Sequence, residues 1–252
     1  MEQDIGPIIE GWEFDPDEIC VRKITGSDGT PKIQVRLDLG LLQMEMKGRP
    51  DGKRPLGQES LLDHYERELE TYSSGYGSDA GFKLDREACA LLGQEGLQYY
   101  QRYVCLFHLE EFDGVERDTA RNLRMFDLIH RYASDEEDRG QMEQYRPYVL
   151  MMNTRARGAI SIARKDWDSA LQQIQEGIDK IKAFLQEKGQ ADGIGSCDEI
   201  AFLTQWEEEV RGSRPMTLKQ RLQRQMREAI EKEDFERAAR IRDQVRRLEE
   251  DH

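Results

Sequence analysis

The sequence has few cysteines and no long apolar run. Its four cysteines lie far apart with no C-x-x-C pair, which argues against the common zinc-ribbon and thioredoxin-type sites and gives no disulfide framework. No apolar stretch approaches the roughly 18 residues that a membrane-spanning helix needs, and residues 1–4 lack the basic start of a secretory signal. We therefore expect a soluble, cytoplasmic protein that makes no membrane contact.

Apolar residues are also few, and acidic residues outnumber basic ones. Hydrophobic residues make up 37% of the 252 residues, and charged residues make up 35%, above the roughly 25% of ordinary globular domains. The 37 basic and 51 acidic side chains leave a net charge of −14. A surface of this charge repels nucleic acid and anionic membranes as a whole, so binding to either would need a local basic patch.

The common catalytic signatures are missing. The histidines are scattered, with no H-E-x-x-H motif and no cysteine at metal-ligand spacing, and no G-x-S-x-G motif occurs. Three tyrosines at helical spacing, Tyr99, Tyr100 and Tyr103, are better interpreted as core residues than as a platform for stacking bases. We expect a protein that is not an enzyme and that uses no metal and no cofactor.

The N-terminal region has the alternating pattern of β-strands. Apolar residues occupy every second position from Ile33 to Leu39, and a shorter apolar segment, residues 19–24, precedes an Asp-Gly turn signal. These features predict a small β-hairpin. The alternation changes phase after Gly40, where we place a β-bulge.

A loop rich in glycine, proline and basic residues follows at positions 47–57. Its candidate anion-binding residues are Lys47, Arg49, Lys53 and Arg54, because flexible backbone amides and cationic side chains together form a positive concave site. Neither a P-loop nor a dinucleotide-binding fingerprint is present. A solvated linker is therefore the favoured interpretation, and an anion site is the alternative.

Helical periodicity dominates residues 59–211. It predicts helices at 60–72, 84–109, 115–133, 148–164, 166–185 and 198–211, with a flexible break at 73–78. The helix pair at 148–185 resembles a tetratricopeptide repeat, because Gly158, Ala170 and Gly177 fall at the spacing of its small residues and Trp167 at its turn aromatic. The resemblance implies repeat-like helical hairpins; an unrelated helical bundle is the alternative.

The last 36 residues read as two short amphipathic helices. The polar turn at 231–234 is so short that the helices should form an antiparallel αα-hairpin, a short coiled coil. Ala238 and Ala239 permit close approach of the helices, and Phe235 is expected to fill the end of the hairpin near the turn. So small a hairpin buries little apolar surface, and a partner chain would complete its core.

The hairpin carries the run Leu222-x-x-x-Met226-x-x-Ala229, followed by Asp234-Phe235-Glu236-x-Ala238-Ala239-x-x-Arg242-Asp243-x-x-x-x-Leu248. This run resembles the UVR motif of the excinuclease subunits UvrB and UvrC, and is similar to segments of Clp-type chaperones and of activators of bacterial protein-arginine kinases. The resemblance implies a bacterial-type protein with a protein–protein contact module, which pairs with another UVR-containing chain or forms a homodimer. The candidate partner-binding residues are Leu222, Met226, Phe235, Ala238, Ala239, Arg242, Asp243, Val245 and Leu248.

The chain also departs from those families. UvrB-like proteins carry a phosphate-binding loop and helicase motifs, and the kinase activators carry paired cysteines for zinc, and this sequence has none of them. Nothing in it resembles the nuclease elements of UvrC. It shares one module with these proteins and lacks their other functional elements.

Charge is distributed unevenly along the chain. Residues 214–250 hold eleven basic and eight acidic side chains, so this segment carries +3 and the remainder −17. A solvated helix surface is the favoured interpretation of these charges. Steering towards an acidic partner or towards nucleic acid is the alternative.

The predicted fold is α+β and mainly α. We predict an N-terminal β-hairpin region with the basic loop (1–58), a helical, tetratricopeptide-like domain (59–211), a linker (212–216) and the UVR hairpin (217–252). The predicted function is a non-catalytic adaptor that docks a partner protein through the UVR hairpin. The alternative is an accessory factor of DNA repair that contacts nucleic acid through basic residues.

Overall fold

The computed structural model describes residues 4–215, 218–232 and 234–250, without the side chains of 218–220, 245 and 247–250. In chain order the helices and strands are α1 (Gly6–Ile9), β1 (Val21–Thr25), β2 (Pro31–Leu37), β3 (Gly40–Glu45), α2 (Leu61–Tyr76), α3 (Arg86–His108), α4 (Phe112–Tyr132), α5 (Glu136–Gln141), α6 (Arg146–Ala163), α7 (Trp167–Glu187), α8 (Asp198–Ser213), α9 (Leu218–Glu231) and α10 (Phe235–Glu250). The fold is the mainly helical α+β fold that the sequence predicts.

The chain divides into two compact units, and the first ends at Glu208. The helix α8 continues to Ser213, two residues into the predicted linker, and stops before Arg214 because the residue preceding a proline disfavours helical backbone. The finer domain boundaries that we propose from the sequence stay predictions.

The N-terminal strands form one antiparallel sheet in the order β1-β2-β3. Ile33 at its centre is fully buried and pairs with Lys23 on one side and Met44 on the other. The predicted bulge at Gly40 is wrong, because Asp38 and Leu39 form a two-residue turn and Gly40 begins β3 opposite Leu37. The change of phase in the alternation therefore marks the start of a new strand.

The first long helix, α2, begins where the sequence predicts and ends later. The Ser60 hydroxyl accepts a hydrogen bond from the Asp63 N–H at 3.1 Å and caps the helix. The predicted break at 73–78 is wrong: the helix continues to Tyr76, and Gly77 ends it in the left-handed conformation with a φ of 71°. Ring contacts of Tyr72 with Tyr76 (4.5 Å between centroids) and Phe82 (5.8 Å) hold the last turn in place.

Later helices stack in sequence order. The helix α4 packs on α3 and also on α6, and α6 packs on α7, so each apolar stripe is covered by the next helix. Glycine permits a close crossing of α6 and α7, because a Cβ atom at Gly177 would lie 2.1 Å from the Thr154 Oγ1. The small residues therefore lie at a helix crossing, and the tetratricopeptide-like assignment itself stays a prediction.

A buried ion pair fastens the loop after β3 to these helices. Arg102 and Asp118 are both 0% exposed, and their side chains meet at 2.6 Å (Nε to Oδ2) and 2.8 Å (Nη2 to Oδ1). The remaining Arg102 nitrogen, Nη1, donates to the carbonyl oxygens of Glu45 (3.0 Å) and Gly48 (2.8 Å). The backbone of the predicted basic loop is thus hydrogen-bonded to a buried side chain of α3.

Candidate functional site

The C-terminal hairpin is built from α9 and α10, which pack against each other. Because the connection between them is so short, the two packed helices run antiparallel. The Asp234 N–H donates to the Ala229 carbonyl oxygen at 2.9 Å, which closes the turn. The Asp234 carboxylate accepts from the Arg237 N–H at 3.1 Å and caps α10.

The core of this hairpin is small. Among its described side chains from 221 onward, Ala229, Ala238 and Ile241 are buried, and two of these three are alanines. Three of the predicted partner-binding residues, Leu222, Met226 and Ala239, are half-buried, and a fourth, Ala238, is one of the two buried alanines. Short side chains let the helices approach closely but remove little apolar surface from water.

Two large apolar side chains are exposed among those that the structure describes in the hairpin. Phe235 is 67% exposed and Ile230 is 48% exposed. The expectation that Phe235 fills the end of the hairpin is wrong. It is the first residue of α10, and because helical side chains lean towards the N-terminus, it projects beyond the end of the helix.

The predicted pair Arg242 and Asp243 lies on the exposed surface. The Arg242 Nε and Nη2 atoms donate to the Asp243 Oδ1 at 3.1 and 3.0 Å, so the two side chains pair with each other. The side chains of Val245 and Leu248 fall outside the described residues. Ile230, which the candidate set omits, is signalled by its position four residues after Met226, on the same helix face.

Many exposed side chains of the hairpin are basic. Among its described side chains, the exposed basic ones are Arg221, Arg224, Arg227, Lys232, Arg237, Arg240, Arg242 and Arg246. Some of this charge is neutralised along the helices, since Arg224 pairs with Glu228 at 3.5 Å and Arg240 with Glu236 at 2.8 Å. Such i,i+4 pairs are typical of a solvated helix surface.

The four basic residues of the loop at 47–57 line one cleft of about 420 Å³. Arg49, the deepest of them, pairs with the buried Glu95 at 3.3 Å, and Arg54 pairs with Glu59 at 3.5 Å. Lys47 and Lys53 are exposed and form no ion pair with the described part of the chain.

Carboxylates share this cleft with the basic residues. Asp28, Glu45 and Glu59 also line it, and the backbone and side chain of Thr30 and the ammonium of Lys32 hold the pKa of Asp28 well below its usual value. The cleft therefore presents mixed charge, which weakens attraction for an anion. Anion binding at Lys47, Arg49, Lys53 and Arg54 stays a prediction.

The described residues contain neither a metal-binding cluster nor a membrane-spanning helix. Within the described ranges, no group of three or more His, Cys, Asp and Glu side chains is arranged to hold a metal ion. None of the helices that the structure describes combines the length and the apolar character needed to cross a membrane.

A short helical hairpin with a minimal core and an exposed apolar edge belongs to the class of helical interaction modules. Comparison with protein families identifies which module it is: residues 217–251 match the family described as the UvrB/uvrC motif. The C-terminal hairpin is thus a UVR motif, and it indicates a UvrB/UvrC-related role in protein interaction or DNA repair. Searches of curated proteins and of solved structures find no match to the chain.

Proposed function

We propose that this chain is a non-catalytic adaptor whose UVR hairpin docks a partner protein. The observation that carries the proposal is the exposure of Phe235, 67%, on a hairpin whose buried described side chains are mainly alanines. Burying a phenylalanine side chain fully contributes about 1.5–3 kcal/mol, and a docked partner would recover this free energy. Aromatic anchors of this kind carry much of the affinity of protein interfaces.

The partner that fits this surface best is a second helical hairpin of the same kind, on another copy of this chain or on a different UVR-containing protein. Two short helices with one apolar edge pack against a second such pair in the manner of a four-helix bundle. The flanking pairs Arg224–Glu228 and Arg240–Glu236 would then form the polar rim of the interface.

The test compares two substitutions that each replace an exposed apolar side chain by a carboxylate. Phe235→Asp alters the UVR hairpin. Leu39→Asp alters the turn between β2 and β3, where the Leu39 side chain is 92% exposed. Sedimentation velocity measures self-association, and affinity capture from host lysate identifies other partners. We expect Phe235→Asp to abolish association and capture, and Leu39→Asp to leave both unchanged.

Equal capture by wild type and Phe235→Asp would overturn the adaptor proposal. Thermal unfolding followed by circular dichroism serves as the control for folding. At concentrations where sedimentation shows the wild type to be monomeric, the exposed side chain of Phe235 contributes little to stability, so this substitution should leave the unfolding temperature of the full chain unchanged to within about 1 °C.

The accessory role in DNA repair is the second candidate, and the eight basic side chains that are exposed in the described part of the hairpin favour it. Fluorescence anisotropy of a labelled DNA duplex at increasing salt separates the two functions. Phosphate contacts release counterions, so DNA binding weakens steeply with salt, whereas apolar pairing of hairpins does not. A saturable, salt-dependent affinity would favour DNA contact. No binding at 50 mM salt would exclude DNA contact and leave the adaptor role as the remaining candidate function.

A further inference from the structure

The first unit contains a cavity of about 680 Å³ between α3, α4 and the segment that joins α5 to α6. Its volume lies in the range of small-molecule sites, about 300–1,000 Å³. The inner wall is formed by Tyr103 and Met125, each 1% exposed, and the mouth by Leu97 and Tyr100, which are 55% and 41% exposed. The cavity is therefore deep enough to enclose a ligand and open enough to admit one.

The lining of this cavity contains no charged residue, although 35% of the chain is charged. Its ionisable groups are a cysteine and tyrosines; burial raises the pKa of Cys89 to about 11 and also raises the pKa of Tyr103 and Tyr148. An ion entering the cavity would lose its hydration without gaining a counter-charge. The lining thus favours a neutral ligand and offers no thiolate or general base for chemistry.

Two glycines in the middle of α3 keep the cavity open. Glycine is unfavourable in a helix interior, so Gly93 and Gly96 need a local reason. A Cβ atom at Gly96 would lie 2.6 Å from the Met125 Cε, and one at Gly93 would lie 3.4 Å from the Met142 Cε. A longer side chain at Gly93 would extend into the cavity.

Hydrogen-bonding groups and aromatic rings complete the lining. The Tyr103 hydroxyl makes no hydrogen bond to any other described residue, so a ligand can supply its partner. Tyr100 lies between two other tyrosines of the lining, with its ring centroid 5.4 Å from that of Tyr103 and 6.2 Å from that of Tyr148. Aromatic rings at such spacings pack well against a further flat ring.

We propose that this cavity binds a neutral, mainly apolar organic molecule that carries an aromatic ring and one hydrogen-bonding group. The ring packs among Tyr100, Tyr103 and Tyr148, and the polar group bonds to the Tyr103 hydroxyl. The side chains of Met125 and Met142 adapt to the outline of the ligand because methionine is unbranched and polarizable. This site lies within α3–α6 and does not depend on the adaptor role of the UVR hairpin.

The experiment titrates the full chain with N-phenyl-1-naphthylamine, a neutral aromatic probe whose fluorescence rises in apolar surroundings. We expect saturable binding of one probe per chain. Gly93→Leu fills the cavity and should weaken binding at least tenfold. The matched control is Gly75→Leu on α2, where an added Cβ meets nothing within 4 Å. The affinity of this variant for the probe should stay within twofold of wild type.

A second probe tests the neutrality of the site. 1-Anilinonaphthalene-8-sulfonate has similar rings and adds a negative charge, so we expect it to bind at least tenfold more weakly than the neutral probe. Met142→Trp fills the cavity from the opposite wall and replaces Gly93→Leu if circular dichroism shows that the latter fails to fold. The proposal is overturned by unsaturable binding, by equal affinity of the two probes, or by a folded cavity-filling variant that binds as wild type does.

Discussion

In the hairpin of α6 and α7, Ile174 and Ile181 are 0% exposed, whereas in the UVR hairpin Ile230 is 48% and Phe235 67% exposed. Both hairpins consist of two amphipathic helices joined by a short turn. The first is covered because α6 also packs on α4, which completes its core within the chain. Amphipathic periodicity thus creates an apolar face, and the neighbouring elements decide whether this face becomes core or binding surface.

A charged pair is likewise buried in the first unit, and another is exposed in the UVR hairpin. Arg102 and Asp118 are fully buried and pair with each other, and Arg102 also donates to two backbone carbonyl oxygens, whereas Arg242 and Asp243 pair on the exposed surface. A buried pair is sensitive to the loss of either partner because the remaining charge has no water around it. An exposed pair contributes little because water solvates both of its charges.

The largest expected effect is that of Asp118→Ala. It leaves the buried guanidinium of Arg102 without its carboxylate and should lower the free energy of unfolding by about 3–5 kcal/mol. Asp243→Ala removes the exposed ion pair with Arg242 and should change the free energy of unfolding by less than about 1 kcal/mol. Urea unfolding followed by circular dichroism measures both, and equal losses would mean that burial does not distinguish the two pairs.

The next prediction is a matched pair of isoleucine truncations. Ile174→Ala leaves a cavity in a fully closed core and should cost about 2–4 kcal/mol, whereas Ile230→Ala on the exposed edge should cost about 0.5 kcal/mol or less. Thermal unfolding gives the first value, and hydrogen exchange of the α9 amides gives the second. A large loss from Ile230→Ala would show that the edge of the UVR hairpin is already part of a core.

Local patterns predicted the helices well because helical periodicity is a short-range signal. The predicted bounds of α3, α4, α6, α7 and α8 agree with the structure to within about three residues. The predicted hairpin at the C-terminus is confirmed as a UVR motif, because most of that pattern lies within a few helical turns. The short helices α1 and α5 are too brief to give a period, so helical periodicity does not predict them.

Non-local contacts account for what the sequence could not predict. The helix α2 continues through its Ser-Ser-Gly segment because Tyr72 contacts Phe82 across the following turn. Arg49 belongs to a loop whose composition favours a solvated linker. Its side chain instead pairs with Glu95, which also accepts hydrogen bonds from the amides at the start of α2. No local pattern links residues so far apart, and the cavity between α3 and α6 has the same non-local origin.

The N-terminal caps of α10 and α7 offer a further contrast between the two hairpins. Asp234 in the UVR hairpin and Asp166 in the α6–α7 hairpin each accept a hydrogen bond at 3.1 Å, from the N–H groups of Arg237 and Ser169 respectively. Loss of such a cap costs about 1 kcal/mol, so Asp234→Ala should speed hydrogen exchange at the first amides of α10 about fivefold. Asp166→Ala should speed exchange less, because the fully buried Ala170 anchors the first turn of α7. Equal acceleration in both helices would contradict the view that packing holds one hairpin and capping holds the other.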